Sequence, residues 1–142
     1  MKSEIFKFDP VIYPFPVLVT RNFDIDELRD EFCVAINQSE VAEASDEFNR
    51  TPCSTARTVN VVRKKDNKVF FMVMIFRPKA MTPGIMAHEA VHVCSSMGYW
   101  LGFGEPTPNN DEPHAYFTGW VTDCVDSVLR KHPERMSGVL LE

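Results

Sequence analysis

The chain contains no uninterrupted apolar run approaching the roughly 18 residues that a membrane-spanning helix requires, so no bilayer crossing is expected. Its four cysteines, Cys33, Cys53, Cys94 and Cys124, include no C-x-x-C, which removes the usual spacing of a structural zinc site. The opening residues, MKSEIFKFDP, lack the apolar stretch of a secretory signal, so the expectation is a cytoplasmic protein with reduced thiols. An excess of positive charge is missing too. A net charge of −5 gives no electrostatic footprint for nucleic acid. The one dense cationic run, Arg63-Lys64-Lys65, is followed at once by Asp66-Asn67 and reads as a solvated hairpin tip. There is no internal repeat and no low-complexity tract.

What remains is a chain of 142 residues that is most simply one domain, residues 1–142, long enough to bury a core without staples. Val11 to Thr20 is apolar and β-prone, with Pro14 and Pro16 holding its first half to a sheet edge. Asn22 or Asp24 can cap a helix through Glu27, Leu28, Phe32 and Ile36. Residues 37–56 are polar, with a weak helical pattern from Glu40 to Phe48. A β-hairpin follows: Thr58 to Arg63, a turn at Asp66-Asn67, then Val69 to Phe76. The second strand is apolar at every position and reads as buried on both faces, or on one face with the other lining a cleft.

Thr82 and Pro83 open the next helix, which should run to about Met97, with Gly98 as its stop. A Gly/Pro/Asn-containing loop to Asn110 carries Tyr99, Trp100 and Phe103, which suit a substrate lip, a partner patch or a satellite core. The last helix begins near Asp111 to Pro113 and ends near His132. Its apolar stripe is Phe117, Trp120, Val121, Cys124, Val125 and Val128.

The central helix carries His88-Glu89-Ala90-Val91-His92, an H-E-x-x-H pattern. Positions i and i+4 share a helix face, so the two imidazoles can hold one zinc ion, and the Glu after the first His can reach a water on it. A catalytic zinc needs a third protein ligand and an open position. Glu112 is the leading candidate, because it opens a helix 20 residues after His92. Ala115 and Gly119 lie along its face and would allow close helix approach. Asp111, His114, Glu105 and a cysteine compete for the place. Cys94 and Cys124 also read as small buried hydrophobes.

These residues resemble a family. H-E-A-V-H followed by D-E-P-H-A-Y is similar to the gluzincin branch of zincin metallopeptidases. The likeness is closer to small metallopeptidases encoded in bacteriophage genomes, through Thr82 to His92, Asp111 to Tyr116 and Trp120. The resemblance covers roughly residues 57–130. The chain departs from the larger enzymes in having Asp111, not Asn, before the Glu. It lacks a large second lobe, and it lacks the Gly and third His that metzincins place after the motif.

The resemblance implies an α+β, minimal zincin-like fold, in which a small twisted sheet carries the H-E-x-x-H helix and a second, glutamate-bearing helix. It implies zinc as cofactor, with His88, His92 and Glu112 as metal ligands. It implies hydrolysis of a peptide or protein substrate, bound beside the sheet or as an added edge strand, with Glu89 as general base. Tyr116 is the first candidate for oxyanion donor, with His114 and Tyr99 as alternatives. Asp111 would orient a ligand histidine or cap its helix. A phage origin would place the protein in the host cytoplasm. The other class of reading is a catalytically silent zinc-binding module with a regulatory or protein-binding role.

Overall fold

A computed structural model of the chain describes residues 4–43 and 54–130. The elements run β1 (Glu4–Phe8), β2 (Val17–Arg21), α1 (Ile25–Glu31), β3 (Phe32–Ala35), β4 (Val41–Glu43), β5 (Ala56–Arg63) and β6 (Val69–Ile75). A short 3-10 turn at Pro78–Ala80 then leads to α2 (Pro83–Leu101) and α3 (Glu112–Leu129). The strands form a mixed six-stranded sheet in the order β1-β2-β6-β5-β3-β4. Only β2 and β6 pair in parallel, with Val17 opposite Phe71 and Val19 opposite Val73. The architecture is α+β.

β6 explains why both faces of this sheet are covered. Its VFFMVMI sequence is apolar at each position, and strand alternation sends Phe71, Val73 and Ile75 one way and Phe70, Met72 and Met74 the other. The first set packs with Val17, Val19 and the inner sides of α2 and α3. The second packs with Leu28 of α1 and with Phe32, Val34, Val59 and Val61. The turn between β5 and β6 is built as its residues predict. Asn67 takes a left-handed φ of 57°, and Asp66 accepts from Arg63 at 2.6 Å. That bond holds the Asp66 carboxyl down at about 2. Arg63 also lies over the Phe70 ring, so the basic run begins with a residue committed to the turn.

The structure corrects several expectations. Residues 11–16 are not strand; the prolines leave only Val17–Arg21 in the sheet, and β1, which pairs antiparallel with β2, was not anticipated. The first helix stops at Glu31 rather than continuing to Ile36. Phe32 to Val34 pair with Val61 to Arg63, a tertiary contact that outweighs local helical spacing. Val41 to Glu43 form a strand where the weak helix was expected, and the rest of that stretch to Phe48 lies outside the described residues.

α2 passes through Gly98 and ends at Gly102, whose φ of 76° suits glycine. The Phe103 N–H then bonds back to the Gly98 carbonyl at 2.8 Å. All six residues of the α3 stripe are buried, and α3 is described as far as Leu129, short of His132. Trp100 packs against Phe15 and Phe71 as core, whereas Tyr99 and Phe103 are exposed.

The start of α2 fixes where the motif residues sit. The Thr82 hydroxyl accepts from the Ile85 N–H at 3.2 Å, and Pro83 follows at the first helical position. Thr82→Ala should therefore lower stability by about 1 kcal/mol in urea denaturation. An unchanged midpoint would show that the cap does not hold the helix.

Candidate metal centre

α2 has two functional sides. Met86, Ala90, Val93, Cys94 and Met97 are buried against the sheet and α3. His88, His92, Ser95 and Tyr99 emerge on the opposite side, exposed. Helical spacing brings His88 and His92 together, with their Nε2 atoms 3.2 Å apart and their rings in edge contact. Two nitrogens held about 2.0–2.1 Å from one tetrahedral zinc stand about 3.3 Å from each other, so the pair already has the bite of two ligands on one ion.

Glu89 lies a third of a turn round from His88, between the exposed and buried sides. It is 5% exposed, a rare burial for a carboxylate. The partner that makes this tolerable is Thr58 on β5. Its hydroxyl lies 3.2 Å from Glu89 Oε1 and 3.3 Å from the Glu89 carbonyl oxygen. Thr58 was not foreseen as a site residue. Its signal was available in the alternation Thr58-Val59-Asn60-Val61, which sends the polar pair to one face and the valines to the other.

The histidines and Glu89 border an open groove of about 750 Å³. Thr58 and Asn60 of β5 line the same groove, with Ser96 of α2 opposite. Asn60 Oδ1 is buried there with no hydrogen-bond partner among the described residues. β5 pairs with β6 along Ala56–Val62 but with β3 only at Val61–Arg63, so among the described residues the Ala56–Asn60 stretch that lines the groove has no strand partner on its β3 side.

The remaining predicted residues lie elsewhere. Glu112 is exposed at the first turn of α3. Among the described residues, no group of three or more His, Cys, Asp and Glu side chains is gathered for a metal ion, so Glu112 does not join the histidines. The reason lies in how α3 is rotated. Its apolar stripe is buried, and at 100° per residue Glu112 lies about 140° round the helix from Phe117. Asp111 occupies the N-cap position of α3, as one of its two expected roles has it, but its side chain makes no cap hydrogen bond there. His114 and Glu105 line a separate cavity, together with Cys94 and Tyr13. Tyr116 is 71% exposed and lines a third depression beside Ile12 and Pro113. Of the three candidate oxyanion donors only Tyr99 shares the histidine groove.

The cysteines do not present themselves as ligands. Cys94 and Cys124 are buried, and burial pushes both thiols up, Cys124 far above its ordinary range, disfavouring the thiolate a metal requires. They pack as small hydrophobes. Cys33 is half-buried on β3, and Cys53 lies outside the described residues.

Compared with known proteins, the chain matches no family model, no curated protein and no solved structure.

Replacing Thr58 by valine keeps the shape of the side chain but strands the Glu89 carboxylate without its hydroxyl donor. Thr58→Val should cost about 1–3 kcal/mol of stability, and Thr58→Ser should restore most of it. Equal stabilities for all three proteins would mean that the contact is idle.

Proposed function

We propose that this chain is a zinc-dependent metallopeptidase built on a minimal zincin-like fold. The observation that carries the reading is the histidine pair, with Nε2 atoms 3.2 Å apart on an exposed helix face, beside a carboxylate fixed in the groove wall. An ordinary surface helix has no reason to bury Glu89 next to two solvent-facing imidazoles. The substrate is a peptide or protein segment laid in the groove.

The donor set fits zinc: two imidazole nitrogens at tetrahedral spacing, open to solvent. His88 and His92 would hold the ion. In this proposal Glu112 supplies the third ligand, supported by the family resemblance and by its place on the next helix. It needs a change in the approach of the α3 first turn, which makes it the first ligand to test. Bound zinc supplies Lewis acidity that brings a water's pKa toward about 7 and polarises the scissile carbonyl. Glu89 accepts the proton of the attacking water and delivers it to the leaving amine, so that one carboxylate serves both halves of the reaction. Thr58 keeps that carboxylate in one rotamer while the proton moves. Ser95, Ser96 and Asn60 offer polar groups to the substrate main chain along the groove.

A second reading has its own observation. Among the described residues only two nitrogen ligands are gathered, which suits a zinc-binding module that recognises a partner without turnover. Glu89→Gln separates the two. An enzyme keeps its zinc and its fold and loses about 10²–10⁴ in turnover on a denatured protein substrate. A module that never turned over shows no hydrolysis before or after the change.

Glu112→Ala should weaken zinc binding by more than the roughly 10–100-fold typical of an outer-shell partner, measured by competition with a chromogenic chelator. Zinc affinity equal to that of the unmodified protein would remove Glu112 from the metal.

A further inference from the structure

The groove is polar around the histidines, and its character changes along α2. Tyr99 follows His92 by seven residues, which places it about 10 Å further along the helix axis. At that end of the groove Tyr99 and Ile36, which enters from the turn after β3, form an apolar wall. These two side chains are 57% and 59% exposed, so each offers apolar surface to the groove. Trp100 backs the wall and is itself anchored on Phe15 and Phe71.

The wall is also pinned from the sheet side. Gln38 donates its side-chain amide to the Tyr99 carbonyl at 3.1 Å and to the Trp100 carbonyl at 3.3 Å. These are carbonyls of the last helical turn, which lack partners within the helix. The β3–β4 turn thus docks on the α2 C-terminus, and Ile36 and Tyr99 line the same end of the groove. The result is an apolar lining about 10 Å along α2 from the histidine pair.

An extended peptide rises about 3.3 Å per residue, so about 10 Å corresponds to three residues. Resting on the metallopeptidase reading, we infer that the groove selects an extended polypeptide segment bearing a large apolar side chain, Phe, Leu or Met, three residues to one side of the bond at the histidines. The segment lies along the groove, its main chain over Thr58 and Asn60 and its apolar side chain between Ile36 and Tyr99.

The test uses zinc-loaded Glu89→Gln protein and a set of nine-residue peptides in an Ala/Ser background, with one Phe or one Asp moved through each position. Fluorescence polarisation reads binding, and the unmodified protein is run on the same peptides for cleavage. The inference expects Phe to bind about tenfold tighter than Asp at one position. Tyr99→Ala should erase that difference, and Phe103→Ala, an exposed aromatic on another cavity, should preserve it. In any peptide that is cleaved, the preferred residue should lie three from the cut.

Cleavage without a positional preference, or a preference that survives Tyr99→Ala, overturns the inference and leaves the peptidase reading standing. A Tyr99-dependent preference without cleavage by the unmodified protein supports the binding groove and removes the peptidase. Neither binding nor cleavage of any peptide overturns both.

Discussion

One contact carries the geometry of this molecule: the Thr58 hydroxyl on Glu89. It joins the middle of the motif helix to an internal strand, at the boundary between core and solvent. With Glu89 held there, the rotation of α2 is settled. Ala90, Val93, Cys94 and Met97 must face inward, and His88 and His92 must face out together. A buried carboxylate is costly, and the cost is tolerated because one hydroxyl, in register on β5, meets it. The buried apolar face of α2 and this contact together set which way the imidazoles point.

From this follows the placement of the groove. The helices cover the half of the sheet around β2 and β6, where the apolar residues of both strands need burial. Beyond them, the polar face of β5 is left beside the outward side of α2. The expectation that substrate adds to a strand edge is compatible with this site, because β3 pairs with β5 only at Val61–Arg63 and not along the stretch that lines the groove. Side chains on the sheet face and the end wall beside Gln38 line the same groove.

The hairpin, the doubly buried β6, the motif helix and the α3 stripe were legible in the sequence because each carries its own local signal: a turn pair, an unbroken apolar run, a cap, a 3.6-residue period. The α1–β3 junction was not. Leu28, Phe32 and Ile36 have helical spacing, but Cys33 and Val34 gain more by pairing with β5, and no local pattern reveals a partner nearly thirty residues away. The end of α2 offered two glycines, and only the one reaching positive φ stops the helix. At the candidate centre, the histidine pair and its i, i+4 geometry could be read directly. The third ligand could not. Sequence places Glu112 at the start of a helix, but the direction it faces depends on how α3 rolls its stripe onto the sheet.

The most direct test of the account is zinc K-edge absorption on the purified protein after zinc loading and desalting, with metal content measured on the same sample. The account predicts one zinc per chain in a four-coordinate shell, with two imidazole nitrogens at about 2.0–2.1 Å. In His92→Ala the second nitrogen should be lost. A chain that retains no zinc after loading, or a zinc shell unchanged by His92→Ala, would contradict it.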